Sequence, residues 1–443
     1  MAMIIGNGAM VTRDPGRPYL AEGGLYLEGG VIREVGGTGA LRHKYPQAQW
    51  LDAKGKVIMP GLINPHHHIY SAFARGLSIK GYHPANFIDI LEGMWWKLDR
   101  LLTLEDCRYS AYATYLSCIR NGVTTVFDHH ASYGAVKGCL SAIADVAREL
   151  GVRTCLCYEV SDRDGEAKKE EAVRENADFI RACAGGTGDM LYGMMGLHAA
   201  CTLSDETLKL CAEHKGDAGY HIHVAEALSD VKDSLQKHGK RVVNRLYDMD
   251  ILGPKTLAVH CVHINREEMR LLRETDTCVV HNPESNMGNA VGCGPVLQMA
   301  QEGILLGLGT DGYTSDMIES YKTANILHKH HLGDPAAAWG EIPAMLFENN
   351  AKIANRYFRK PLGILKEGAA ADVILCDYDP LTPMGSGNTD AHILFGMNGF
   401  CVTDTVIDGK IVMRDRQVVG VDEAALMAAC RGQAAALWAR ING

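Results

Sequence analysis

The sequence predicts an α/β fold: a (β/α)8 TIM barrel carrying a small β-sandwich built from both chain ends. Three observations predict it. Eight short apolar runs alternate with amphipathic stretches through the middle of the chain, the pattern of strand–helix units around a parallel barrel. Both ends instead read as short strands broken by Gly-Gly, Asp-Gly and Pro-containing turns. Six of the eight apolar runs end at or beside a histidine, on the barrel face where active sites collect.

Residues 1 to about 58 begin the sandwich. Leu25–Glu28, the Gly29-Gly30 turn and Val31-Ile32 read as a hairpin. The apolar runs follow: Val57–Ile63, Val123–Phe127, Arg153–Tyr158, Met190–Leu197, Gly219–Val224, Thr256–Val259, Thr277–Val280 and Ile304–Leu308. Between them, Leu104–Asn121 and Asp205–Glu213 have helical length and periodicity. Ala371–Cys376 and Thr405–Met413 return to strand grammar. The expected organisation is residues 1–58 plus 360–443 as one composite β-sandwich domain, with residues 59–359 as the barrel.

Composition narrows the function classes. The 443 residues are 47% hydrophobic and 22% charged, an ordinary globular balance, and 44 basic against 53 acidic residues give a net charge of −9. A mildly acidic chain without a basic stripe is a poor nucleic-acid or anionic-membrane binder, so a small-molecule substrate is expected. No apolar run is long enough to span a bilayer and the start lacks the basic and apolar regions of a signal peptide, so a cytoplasmic location is expected. The 14 cysteines include no C-x-x-C and read as small buried hydrophobes.

The ends of the runs carry the chemistry. His66 and His68 form an H-x-H after the first run; alternate residues of a strand share a face, so both rings can reach one cation. His223 ends the fifth run and Asp311 the eighth. Three imidazoles and a carboxylate suit one divalent ion, Zn2+ first and Fe2+ second. An ion of this kind lowers the pKa of a bound water from about 15.7 towards roughly 7, which supplies a nucleophile at neutral pH.

The motifs Pro60–His68, Leu197-His198, His223–Glu226, His260–His263, His281–Asn286 and Gly309–Asp311 resemble the amidohydrolase superfamily across essentially the whole chain. Within it they resemble the metal-dependent aminohydrolases related to guanine, cytosine and S-adenosylhomocysteine deaminases and to the triazine chlorohydrolases. Phe127–Tyr133 and Trp95–Asp99 look most like the SsnA group of aminohydrolases. The resemblance implies His66, His68, His223 and Asp311 as metal ligands, Glu226 as the proton-transfer carboxylate, and His260 as the residue that polarises water or substrate. Asp311 serves also in proton transfer. Binuclear relatives carry a lysine at the end of strand four; Leu191–His198 has none, so a single metal is expected. Relatives commonly form dimers, which makes a homodimer the expected assembly.

His198, His130 and Asn286 are the candidate substrate contacts, with His129 beside them. Trp95 and Trp96 read first as core residues, with stacking on a flat substrate ring as the alternative, His281 as structural, His263 as a support to the site, and His328, His330 and His331 as surface. Where relatives continue Leu-Lys-Leu after Asn286, this chain has Met287-Gly288-Asn289-Ala290, and Arg75 is the one candidate for holding a substrate carboxylate. The expected reaction is hydrolytic deamination of a nitrogen heterocycle, a purine or related ring. Hydrolysis of a cyclic amide or amidine bond, or of an amide, is the alternative within the fold. A non-catalytic assembly subunit is the alternative outside it.

Overall fold

The computed structural model describes residues 2–186 and 188–443. Five strands open the chain: β1 (Ala2–Val11), β2 (Tyr19–Glu28), β3 (Val31–Gly36), β4 (Gln49–Asp52) and β5 (Val57–Pro60). The middle contributes β6 (Leu62–His67), β7 (Val123–His130), β8 (Arg153–Tyr158), β9 (Leu191–Gly193), β10 (Met195–Ala199), β11 (Tyr220–Val224), β12 (Leu257–His260), β13 (Cys278–His281) and β14 (Leu306–Leu308). Four more close it: β15 (Val373–Cys376), β16 (Val402–Ile407), β17 (Lys410–Arg414) and β18 (Gln417–Val418).

The two ends meet in one nine-stranded sheet of order β18-β17-β16-β15-β5-β1-β2-β3, with β4 also paired to β1. Its centre is the antiparallel pairing of β15 with β5, Val373 opposite Pro60 and Cys376 opposite Val57. Met3, Ile5, Leu25, Leu27 and Ile58 from the start of the chain share a core with Leu365, Val373, Leu375 and Val406 from its end. The C-terminal helix Glu423–Asn442 leaves this sheet and packs on the helix Leu104–Arg120.

The middle strands form two parallel arcs, β6-β7-β8-β9 and β10-β11-β12-β13-β14. They join at both seams. Met194 N–H donates to Leu156 O on one arc and Met195 N–H to Gly219 O on the other, so the single apolar run Met190–Leu197 becomes two strands that bridge the arcs. At the far seam the N–H groups of Thr310 and Asp311 donate to His66 O at 3.2 and 3.1 Å. Helices follow the strands, among them Leu104–Arg120, held by a Thr103–Asp106 capping box, and Asp205–His214, capped by Ser204.

Two expectations need correction. The run Val57–Ile63 is not one barrel strand: Val57–Pro60 belongs to the large sheet, and the parallel strand starts only at Leu62. The break falls at Gly61, where the chain runs so close to β7 that a Cβ would sit 2.3 Å from the Thr124 side chain. His328 is not a surface residue. Met317, Tyr321, Ala324 and His328 recur at spacings of four and three along the helix Met317–Leu332, which turns them all inward. Its Nε2 lies 3.2 Å from Nε2 of His281, and only His330 and His331 face solvent.

The C-terminal strand ends are strained. Ala225, His260 and Asp311 have φ of 46°, 70° and 54°, left-handed values that non-glycine residues seldom adopt. All three lie where β11, β12 and β14 hand over to their loops. Strain of this kind persists only where the surroundings over-determine it, and it clusters at functional sites.

Candidate active site

His66, His68, His223, His260 and Asp311 converge at the C-terminal ends of β6, β11, β12 and β14. Their donor atoms make overlapping triads, His66/His223/His260, His66/His68/Asp311 and Glu226/His260/Asp311, each within 4.8 Å, and His129 completes another with His68 and His223. All are buried, His66 completely.

The hydrogen bonds around these rings fix which nitrogen faces inward. His68 Nδ1 donates to His129 O at 2.6 Å, and His223 Nδ1 donates to His198 O at 2.8 Å. Each ring is thereby left with an Nε2 lone pair, and the two Nε2 atoms face each other at 3.2 Å. His66 Nδ1 pairs with His221 Nε2 at 2.8 Å, while its Nε2 is buried without a partner. Lone pairs aimed at one another in a dry interior repel unless a positive charge lies between them. Burial disfavours charge on His68, yet Asp311 Oδ1 at 3.1 Å outweighs it and lifts that ring to about 9. Burial and mutual repulsion hold His66 and His223 well below the ordinary histidine value. His68 would give up its added proton to a bound ion, and the donor set of three imidazoles with second nitrogens anchored and one carboxylate then fits one divalent cation.

Glu226 stands three residues past His223. Its Oε2 is 3.3 Å from His260 Nε2, and Asn289 Nδ2 approaches Oε1 at 3.5 Å. Asp230 fixes its backbone by accepting the Glu226 N–H at 3.1 Å. Burial, with the Asp311 and Asp230 charges nearby, pushes Glu226 well above its ordinary carboxylate value, which favours its protonated form. His260 Nδ1 donates to Asn286 Oδ1 at 2.8 Å, which aims Nε2 between Glu226 and Asp311 Oδ2, the latter 3.5 Å away.

A cavity of about 340 Å3 opens over this cluster. His68, His198, His223, Glu226 and Asp311 line its floor; Tyr70, Phe87, Trp95, Trp96 and Tyr313 form much of its wall. Among the described residues no lysine or arginine lines it. Its other acids are Asp230 and Glu159, and burial raises Glu159 to about 8. Arg163 reaches Glu159 at 3.5 Å but is also paired with Asp99 and Asp164, and its guanidinium lies 4.1 Å from the Tyr133 ring centre.

The structure therefore redistributes the expected substrate contacts. His198 lines the cavity. His130 does not: it is wholly buried behind Tyr70, its Nε2 on Ser132 Oγ at 3.1 Å. Asn286 is also buried away from the cavity and orients His260 instead. His129 sits beneath His68 and His223, its Nε2 on the backbone carbonyls of Leu197 and His221. Trp95 and Trp96 are not core residues but half-buried wall, because the segment carrying them folds over the barrel mouth. Arg75 lies outside this cavity and borders another. His263 bonds Val291 O at 2.8 Å. His221, Glu159, Asp230 and Asn289 were not singled out for roles from sequence. Alternation along β11 could have found His221, two residues before His223.

Comparison with known proteins sets this geometry in context. The model of the Amidohydrolase family matches residues 57–412. The chain is 32% identical to a 5'-deoxyadenosine deaminase of Methanosarcina mazei and 30% identical to a 5-methylthioadenosine/S-adenosylhomocysteine deaminase of Pelotomaculum thermopropionicum. The alignments cover 99% of both chains in the first case and 98% of both in the second. An adenosine deaminase from Xanthomonas campestris, crystallised with bound zinc, superposes with a TM-score of 0.84 over 98% of each chain at 22% identity.

Proposed function

The chain belongs to the amidohydrolase family, a metal-dependent hydrolase acting on carbon–nitrogen bonds, and from that premise we propose that it deaminates an uncharged aminopurine nucleoside. The observation that carries this reading is the buried Glu226 carboxyl set against His260 and Asp311, under a cavity walled by aromatic rings and lined by no lysine or arginine among the described residues. Flat rings suit a purine. With no lysine or arginine among the described lining residues, a phosphate or carboxylate on the substrate is disfavoured, because it would be desolvated beside Glu159, Asp230 and Asp311.

His66, His68, His223 and Asp311 would hold the metal, with Zn2+ first and Fe2+ second. When bound, such an ion supplies Lewis acidity that makes a water nucleophilic at neutral pH. The protein's own groups handle the protons. Glu226 gives its proton to the ring nitrogen next to the amino-bearing carbon, which makes that carbon electrophilic. His260 Nε2, neutral and held by Asn286, accepts a hydrogen bond from the attacking water. Asp311 takes the water's proton and returns it to the leaving amino group. The C–O bond forms, the C–N bond breaks as ammonia departs, and the remaining hydroxyl proton passes to the Glu226 carboxylate, which leaves a carbonyl beside the protonated ring nitrogen and restores the acid. His198 and the Trp95–Trp96 wall position the ring, and the cover over the mouth excludes bulk water.

The organisation follows the same reading: a (β/α)8 barrel from about residue 61 to 359 bears the site, and the sheet of both chain ends folds over its shared core as the sandwich. The test of function is ammonia release from a panel at full metal occupancy. Adenosine, 5'-deoxyadenosine and 5-methylthioadenosine should be turned over, S-adenosylhomocysteine more slowly, and AMP scarcely at all. No release from any uncharged aminopurine nucleoside would sink the reading.

A further inference from the structure

Behind the catalytic loop lies a second cavity, of about 740 Å3, between the C-terminal helix Glu423–Asn442 and the helix Leu104–Arg120. It shares one wall with the first: Gly312 and Tyr313, which directly follow Asp311, border both. Phe73, Leu116, Met427 and Trp438 give it an apolar body. At its edge stand Arg75 and Arg431, both exposed and neither paired with any carboxylate among the described residues. At its inner end is His67, 4% exposed, with Nε2 on Ser315 Oγ at 3.3 Å and Nδ1 buried without a hydrogen-bond partner.

We propose that this cavity is a second small-molecule site, taking an amphiphilic anion whose apolar body fills the space between the two helices. The volume falls in the range of ligand pockets, and the layout is theirs too: apolar lining with a few convergent polar groups. The two free guanidiniums hold the anionic end at the mouth. The unsatisfied His67 nitrogen offers one polar contact at depth, where a buried group without a partner otherwise costs stability. The deamination chemistry uses none of these residues. Because Asp311 and His67 are also bridged between strands, a molecule seated here touches the back of the loop that carries the catalytic carboxylate.

The probe is 8-anilinonaphthalene-1-sulfonate, aromatic with one sulfonate, titrated by fluorescence into the full-length, metal-loaded protein. Saturable binding near one per chain is expected. Ala434→Phe, which sets a ring into the apolar body of the cavity, should weaken it about tenfold or more, and so should the surface pair Arg75→Glu with Arg431→Glu, by the worth of one or two charge-assisted contacts. Cys201→Trp, which narrows the first cavity, should leave it unchanged. Loss of the signal in Cys201→Trp with retention in Ala434→Phe would place the probe in the catalytic cavity and overturn the proposal. So would the absence of saturable binding to wild type, or indifference to the charge reversals.

Discussion

His221 and His66 are joined by a 2.8 Å hydrogen bond between Nε2 of the first and Nδ1 of the second. The contact ties two strands across the barrel interior and leaves His66 Nε2 facing the cluster. His221 is thus to His66 what the backbone carbonyls of His129 and His198 are to His68 and His223. Metal sites depend on such outer partners to fix ring orientation and tautomer.

The metal prediction follows. Purified protein should hold about one equivalent of a divalent transition metal per chain, as a single-ion site of this donor set requires. His223→Ala should lose most of it. His221→Phe should weaken binding by about 10- to 100-fold, the usual cost of deleting an outer partner. Competition with a chelator, read by elemental analysis, measures both. Two ions per chain, or full retention in His223→Ala, would refute the ligand assignment.

Glu226→Gln keeps size and leaves the donor set intact while removing the proton donor. Turnover should fall by roughly 10²-fold or more, the lower end of general acid catalysis, with metal content near wild type. Above about a tenth of wild-type turnover at full metal occupancy, protonation is not this residue's task, and an amide or ring-opening hydrolysis becomes the better account.

Much of this site is legible in the chain itself, for a physical reason. Strand alternation places His66 and His68 on one face, and the barrel's parallel topology brings every strand end to the same rim, so residues far apart in sequence meet. What escapes is set by loops and by long-range packing. Asn286 reads as a substrate contact until its Oδ1 is seen on His260. Trp95 and Trp96 look like core until their segment is seen over the mouth, and nothing local distinguishes the two. His328 is surface by composition, but its neighbours three and four positions away carry the signal that it faces inward. The split of Val57–Ile63 between two sheets leaves no periodic trace, because both halves are wholly apolar.

Glu284 gives a stability prediction with a definite sign. It is 8% exposed, neither carboxylate oxygen has a well-formed hydrogen bond, and burial raises it to about 7 with only partial relief from the Ser320 hydroxyl. A carboxyl raised in the folded state costs nothing below its unfolded value of 4.5. Stability then falls as pH climbs from there to about 7, and the loss stays constant above it. At 1.36 kcal/mol per pKa unit the penalty is about 3 kcal/mol. Glu284→Gln should therefore raise Tm relative to wild type at pH 8 and have little effect at pH 4. An equal shift at both values would show that the carboxylate's charge is not the cause.

The shared sheet predicts that neither chain end is stable alone. Deleting residues 365–443 removes β15 from its place beside β5 and strips Leu375 and Val406 from the core they share with Ile5 and Leu25. The product should aggregate, by light scattering, and expose the N-terminal strands to protease. A soluble, metal-loaded barrel after that deletion would argue against a composite domain.

The pairing of β15 with β5 has a further consequence, for the chain as it leaves the ribosome. The edge of β5 that β15 covers is made when Pro60 emerges, and its partner arrives only with Val373. At about 5–20 residues per second that edge stands open for roughly 15 to 60 seconds, while the catalytic half is being built beside it. An unpaired apolar strand edge is a template for any other chain at hand. The hazard of this molecule is therefore concentrated in synthesis: its yield should depend on translation pace and on chaperones that shield the first sixty residues, even where the finished protein is stable.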